Sequence, residues 1–97
     1  MILKTVDKIV NQRGKQHGST KKCFKVTTDF WNTYLKGKGL IQKDLTEEDF
    51  GVLMSLLKIS RQIIGGGNVD NYLDAIGYLS IVGNLKYEKE LKKLKIK

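Results

Sequence analysis

Apolar positions along this chain recur at helical spacing, and no segment alternates as a half-buried strand does. Ile2, Val6, Ile9 and Val10 stand at i, i+4, i+7 and i+8, which predicts an amphipathic helix over 2–13. Gly14 follows as the residue that ends it. The stretch GKQHGST then reads as a loop with glycines near both ends and Ser19 and Thr20 as capping residues. A second helix is predicted over 21–36, with Phe24, Thr27, Phe30, Trp31, Tyr34 and Leu35 on a broad aromatic face. GKGLIQKDL connects it to TEED, where Thr46 and Asp49 have the spacing of a capping box. Glu47, Glu48 and Asp49 also put negative charge at the positive end of the next helix dipole.

The third helix is predicted over 47–64, with Phe50, Leu53, Met54, Leu57 and Ile64 as its main stripe. Leu56, Ile59 and Ile63 fall outside that stripe, so this helix is apolar on most sides and is expected to be central or shared between subunits. Gly65–Gly67 stop it. Asp70 is expected to cap a fourth helix reaching about residue 84. The end, KYEKELKKLKIK, carries six lysines against two glutamates and either extends that helix or frays. The elements predict one all-α domain over 1–97, a four-helix antiparallel bundle with residues 86–97 as a basic extension. A core this small favours oligomerisation, as a dimer or higher.

Composition bears on partners more than on fold. The formal charge is +8, carried by sixteen lysines and two arginines, Arg13 and Arg61. Such a balance suits an anionic partner, whether nucleotide, nucleic acid or acidic protein, and is equally produced by lysine-rich coding habits. The single cysteine, Cys23, excludes an internal disulfide. It has lysine neighbours but no evident base, so no catalytic residue is assigned. No apolar run has the length of a membrane span or a signal peptide. The expectation is a cytoplasmic protein with no membrane partner.

Two regions hold candidate chemistry. Lys58 and Arg61 share one face of the third helix inside LLKISRQII, where a cation must be paired or reach solvent. Asp70 and Asp74 lie across the glycine turn, and Arg61 is expected to meet Asp74 in a packed hairpin. That pairing reads either as a scaffold or as the polar floor of an anion site. Gly77, Ser80 and Gly83 are spaced to let another helix or a planar ligand approach. The second region is the loop with Arg13, Gly14, His17 and Gly18, followed by Lys21 and Lys22 at a helix start, a setting in which backbone amides hold phosphate. GGGNVD lacks the Lys-Ser/Thr ending of a phosphate-binding P-loop and reads as a helix stop. One histidine and one distant cysteine make no zinc site.

In order along the chain, RGKQHG, KISR and DNYLDAIGY resemble the features of a family of small phage proteins carried as a domain of unknown function. Arg13, Gly14, His17 and Gly18 match its first motif, Lys58 and Arg61 its second. Asp70, Tyr72, Asp74, Gly77 and Tyr78 match the third. That family is similar to the MazG-like all-α nucleotide pyrophosphohydrolases, whose metal helix carries ExxD where this chain has NYLD. Asn71 replaces the first acid, and KISR stands where a further acidic pair would be. The resemblance therefore implies a MazG-like hairpin with a degenerate metal site. A looser similarity is to phage anti-CBASS sponges, oligomers that sequester cyclic oligonucleotide signals without chemistry.

The leading expectation is a phage anti-defence protein that sequesters a nucleotide signal, probing phosphates with Arg13, His17, Lys21 and Lys22 and stacking a base on Tyr72 or Tyr78. Two protomers would form the pocket, with no cofactor. One alternative is a Mg²⁺-dependent nucleoside triphosphate pyrophosphohydrolase with Asp70 and Asp74 as remaining ligands. Another is a basic nucleic-acid-binding accessory protein.

Overall fold

The computed structural model describes residues 1–17 and 19–94, with the backbone alone described for 14–17. It is all-helical: α1 (Ile2–His17), α2 (Thr20–Gly37), α3 (Glu47–Ile64), α4 (Val69–Lys86) and a short α5 (Glu88–Lys93). The described residues contain no strand. α3 and α4 pair most extensively, while α1 lies on α4 and α2 on α3. The molecule is flat, 46 × 38 × 26 Å, and its 14.9 Å radius of gyration exceeds the about 12.5 Å expected of a compact chain this long.

Local chemistry sets most of the ends. Ser19 caps α2 by accepting from the Lys22 amide. At α3 the capping box forms in full: Thr46 Oγ1 accepts from the Asp49 amide at 3.1 Å, and Asp49 Oδ2 accepts from the Thr46 amide at 2.8 Å. Gly66 and Gly67 sit at φ +84° and +88°, in the left-handed region that lets the chain reverse after α3. The fourth helix departs from expectation. Asn68, not Asp70, is its N-cap, and its side chain accepts from the Asp70 amide at 2.8 Å. α1 also differs, since it continues through Gly14 to His17. An interior glycine costs a helix only about 1 kcal/mol, too little by itself to end one when the good helix formers Lys15 and Gln16 follow. The basic end neither extends α4 nor frays at once, because Tyr87 breaks the helix and α5 follows.

The buried face of α3 keeps only part of the stripe its large side chains predict: Phe50 is buried and Met54 half-buried. Leu53, Leu57 and Ile64 are exposed, and Gly51 and Ser55 are buried instead. The reason is proximity to α4. A Cβ on Gly51 would collide with Cγ1 of Val82 and come within 2.9 Å of Cγ2. One turn on, the Ser55 hydroxyl shares its proton between the carbonyls of Gly51 and of Ala75 on α4, both at 2.9 Å. At the turn, Gln62 Oε1 accepts from the Asn68 amide at 2.9 Å and from Asn71 Nδ2 at 3.2 Å. At the far end Lys86 donates to Glu48 at 2.8 Å, and this bond holds its ammonium above the ordinary lysine range. Partners therefore run in opposite order along the two helices, and the hairpin is antiparallel.

α1 and α2 cover one side of this hairpin. Phe50 of α3 meets Phe24 and Trp31 of α2 edge-on, at centroid distances of 4.7 and 4.9 Å. Tyr78 of α4 completes the aromatic group at 5.9 Å from Phe24. The predicted aromatic face of α2 thus divides: Phe24 is buried and Trp31 half-buried, but Phe30 and Tyr34 project outward. Asn32 ties the following loop down, donating to the Leu45 carbonyl at 2.9 Å and accepting from its amide at 2.7 Å.

If the Gly51–Val82 approach sets the hairpin, Gly51→Ala will destabilise the protein by about 1–2 kcal/mol. Overpacking against a stiff valine outweighs the helix propensity gained. Val82→Ala should relieve most of that loss in a double-mutant cycle followed by urea denaturation.

Candidate functional site

Where α1 lies across α4, three helices leave a cavity of about 240 Å³. α1 contributes Val6, Ile9, Val10 and Arg13, at i, i+3, i+4 and i+7. α2 contributes Thr20, Cys23 and Phe24 from its first turns. α4 contributes Leu73, Asp74, Gly77, Tyr78 and Ile81. The walls are mainly apolar, with Phe24 and Tyr78 as aromatic surfaces. Gly77 leaves width: a Cβ there would be 3.8 Å from Val10 and 3.9 Å from Val6, ordinary contact distances.

The charged lining residues of the cavity are Arg13 and Asp74. Asp74 Oδ2 lies 3.1 Å from Lys58 Nζ, and Asp74 Oδ1 lies 3.4 Å from Arg13 Nη2. The Lys58 and Asp74 side chains are only 14% and 15% exposed, against 54% for Arg13. The pair thus sits in reduced dielectric with Arg13 as its outer member, and the cluster carries a net charge of +1. Among the described residues no buried side-chain nitrogen or oxygen lacks a partner.

The structure realises the predicted hairpin pairing only in part. Lys58 meets Asp74, but Arg61 does not, and Arg61 and Asp70 are both exposed without an ion pair among the described residues. The α4-facing line of α3 runs Gly51, Ser55, Lys58, Gln62, and Arg61 lies a full residue's rotation off it. The third member, Arg13, comes from α1, 61 positions away in sequence.

The other predicted ligand residues are distributed unevenly. Arg13 and Tyr78 line the cavity. Lys22 is exposed on the first turn of α2, and Lys21 faces a separate surface groove with Glu47, Glu48 and Lys86. Tyr72 is exposed on α4 and is not among the lining residues. Gly18 and the side chain of His17 lie outside the described residues, and Gly14 is described by its helical backbone alone. Sequence reading missed Cys23, Phe24 and Thr20 as cavity residues, and Gln62 as the residue that closes the hairpin. Only the i, i+3, i+4 spacing of the first three could have pointed to a shared wall.

No three His, Cys, Asp or Glu side chains gather to hold a metal ion among the described residues. Asp74 is engaged by two cations, and Glu48 by Lys86. The donor set at this hairpin therefore does not fit Mg²⁺.

Removing the carboxylate strands a largely buried ammonium, whereas removing the ammonium leaves Asp74 its Arg13 partner. Asp74→Leu should accordingly cost about 2–4 kcal/mol and Lys58→Met about 1 kcal/mol or less. The double variant should recover most of the Asp74→Leu loss. Equilibrium urea unfolding of the three variants measures all of this.

Comparison with known proteins agrees with the phage resemblance. The chain is similar to the Gene 55 protein of Mycobacterium phage L5, 30% identical over 90 residues. The alignment covers 92% of this chain and 54% of that protein, so the chain spans about half the length of this curated relative. No solved structure matches. A family model described as a domain of unknown function, DUF6378, matches residues 1–86. With that match running from the first residue through all four long helices, the chain belongs to the DUF6378 family.

Proposed function

We propose that this protein binds a nucleotide without transforming it, and that it acts during phage infection by sequestering a nucleotide immune signal of the host. The observation that carries the reading is the cavity: apolar walls with two aromatic rings, closed on one side by Asp74 and bordered by a half-exposed arginine. Its about 240 Å³ is below the roughly 300–1,000 Å³ of sites that enclose a drug-sized ligand. It suits a base, with sugar and phosphates left outside. Arg13 stands at the cavity beside the start of α2, where Lys22 and free backbone amides add to an anion-attracting field. Asp74 offers acceptor oxygens to the N–H edge of a base.

In this reading α1–α4 form one antiparallel bundle, supported by the antiparallel α3–α4 hairpin and by α1 and α2 lying on its two helices. KISR against DNYLD is then a MazG-like metal hairpin in which a lysine has replaced the ion. The paired state of Asp74 favours binding over pyrophosphohydrolysis. Cyclic forms rank first among the ligands on the looser resemblance to sponges that sequester cyclic oligonucleotides.

Isothermal titration against cyclic di- and trinucleotides, cyclised ADP-ribose products and linear nucleoside triphosphates tests this. Micromolar binding to one class is expected, with the ligand recovered intact by mass spectrometry. Gly77→Leu, which fills the cavity, should abolish it, and Arg13→Ala should weaken it about tenfold by loss of a charge-assisted contact. Release of pyrophosphate in Mg²⁺ would replace this reading with the enzyme. Affinity only for long strands, falling steeply with salt, would replace it with nucleic-acid binding.

A further inference from the structure

α1 and α2 both lie on one side of the α3–α4 hairpin, and among the described residues nothing covers the opposite side. Helical periodicity places Val52, Leu56, Ile59 and Ile63 on that side of α3, at i, i+4, i+7 and i+11. All four are exposed, Ile63 by 77%. Tyr72 and Leu79 answer them on α4, seven residues apart and likewise exposed. Ile76, between these two, is half-buried. Across both stripes, from Val52 to Ile63 and from Tyr72 to Leu79, no charged side chain falls on this side. Lys58 and Asp74 turn towards the cavity, and Arg61 lies on the flank.

We infer that this face is the interface of a two-fold symmetric homodimer, in which two hairpins stack back to back as a four-helix layer. Three observations select a second copy as the occupant. The first is area. Six large apolar side chains stand on this one face, each 40–77% exposed, where a stable interface needs a broad apolar area from each partner. Contiguous exposed apolar patches of this kind mark interaction surfaces. The second is charge. Each copy carries +8, so copies repel except through a neutral surface, and this face is where the lysine-rich chain is neutral. An acidic or nucleic-acid partner would instead seek the cations, which the face lacks. The third is the interior. Among the described residues six hydrophobic residues are buried and no side chain is completely so, leaving the hairpin with packing on one side only. A helix apolar on most sides calls for neighbours on most sides, and a second hairpin supplies them.

The pairing leaves both cavities open, because they lie on the α1 and α2 side. It is therefore independent of what the cavity binds.

Sedimentation velocity of the full chain over a dilution series tests the inference. A species of twice the 11.0 kDa chain mass is expected, dissociating on dilution. Added salt should tighten it, since salt screens the repulsion between two cationic copies. Leu56→Lys/Ile63→Lys puts four ammonium groups into the interface and should raise the dissociation constant about a hundredfold or more. Because that variant can also fail to fold, a second measurement is made in a Cys23→Ser background. A bis-maleimide should join copies through Ile59→Cys and not through Lys36→Cys on α2. A folded chain that stays at 11.0 kDa at every concentration overturns the inference. So does a dimer that Leu56→Lys/Ile63→Lys leaves intact, or one joined through Lys36→Cys. A monomer that instead binds vesicles of phosphatidylcholine and phosphatidylglycerol through this face would assign it to a lipid surface and equally overturn the dimer.

Discussion

The approach of α3 to α4 governs the other features of the fold. Gly51 lets the Val82 side chain occupy the space where a Cβ would stand, and Ser55 carries a hydroxyl across to the Ala75 carbonyl one turn later. These contacts settle how α3 is rotated about its own axis. Once the small residues face α4, Phe50 must point towards α2 and Lys58 towards Asp74. The remaining large side chains then have no partner within the chain. Three properties follow from that one rotation: the aromatic group under α2, the ion cluster at the cavity, and the bare apolar side.

The same rotation explains why residue size misleads here. In a helix with apolar residues on most sides, the stripe of largest side chains is the natural candidate for the core. In α3 the closest contact is made by the smallest ones, because helix axes come nearest where side chains are short. Leu53 and Leu57 therefore end outside, and a glycine and a serine end inside. Dispersion favours such close contact, with many atom pairs gained per unit length of helix.

What could be read from sequence was local. The Thr46–Asp49 box needs only residues three apart, and the reversal at Gly66 and Gly67 needs only backbone freedom, so both boundaries of α3 were legible. The limits of α1 were not, because a single glycine is a weak helix breaker when good formers follow it. Asn68 and Asp70 are both competent caps, and only the Gln62 contact to the Asn68 amide, across the turn, separates them. For the candidate site, Lys58 and Asp74 were legible as cations and anions forced together by an apolar setting. Arg13 was legible as a site residue but not as their partner, since that contact spans 61 positions. The cavity itself is a product of three packed helices and left only a faint spacing signal in α2.

The shared carboxylate has a further meaning for motion. Arg13 and Lys58 hold different oxygens of Asp74, the first half-exposed and the second largely buried. If Arg13 swings outward, the aspartate keeps its inner partner and no buried charge is stranded. The two cations are thus unequal in how firmly they are held: the inner one fixes the hairpin, and the outer one is a hinged side chain that can turn to solvent without loosening the helices beneath it. The first helix is consequently held against α4 by packing at Val6 and Val10 as well as by its Arg13 contact.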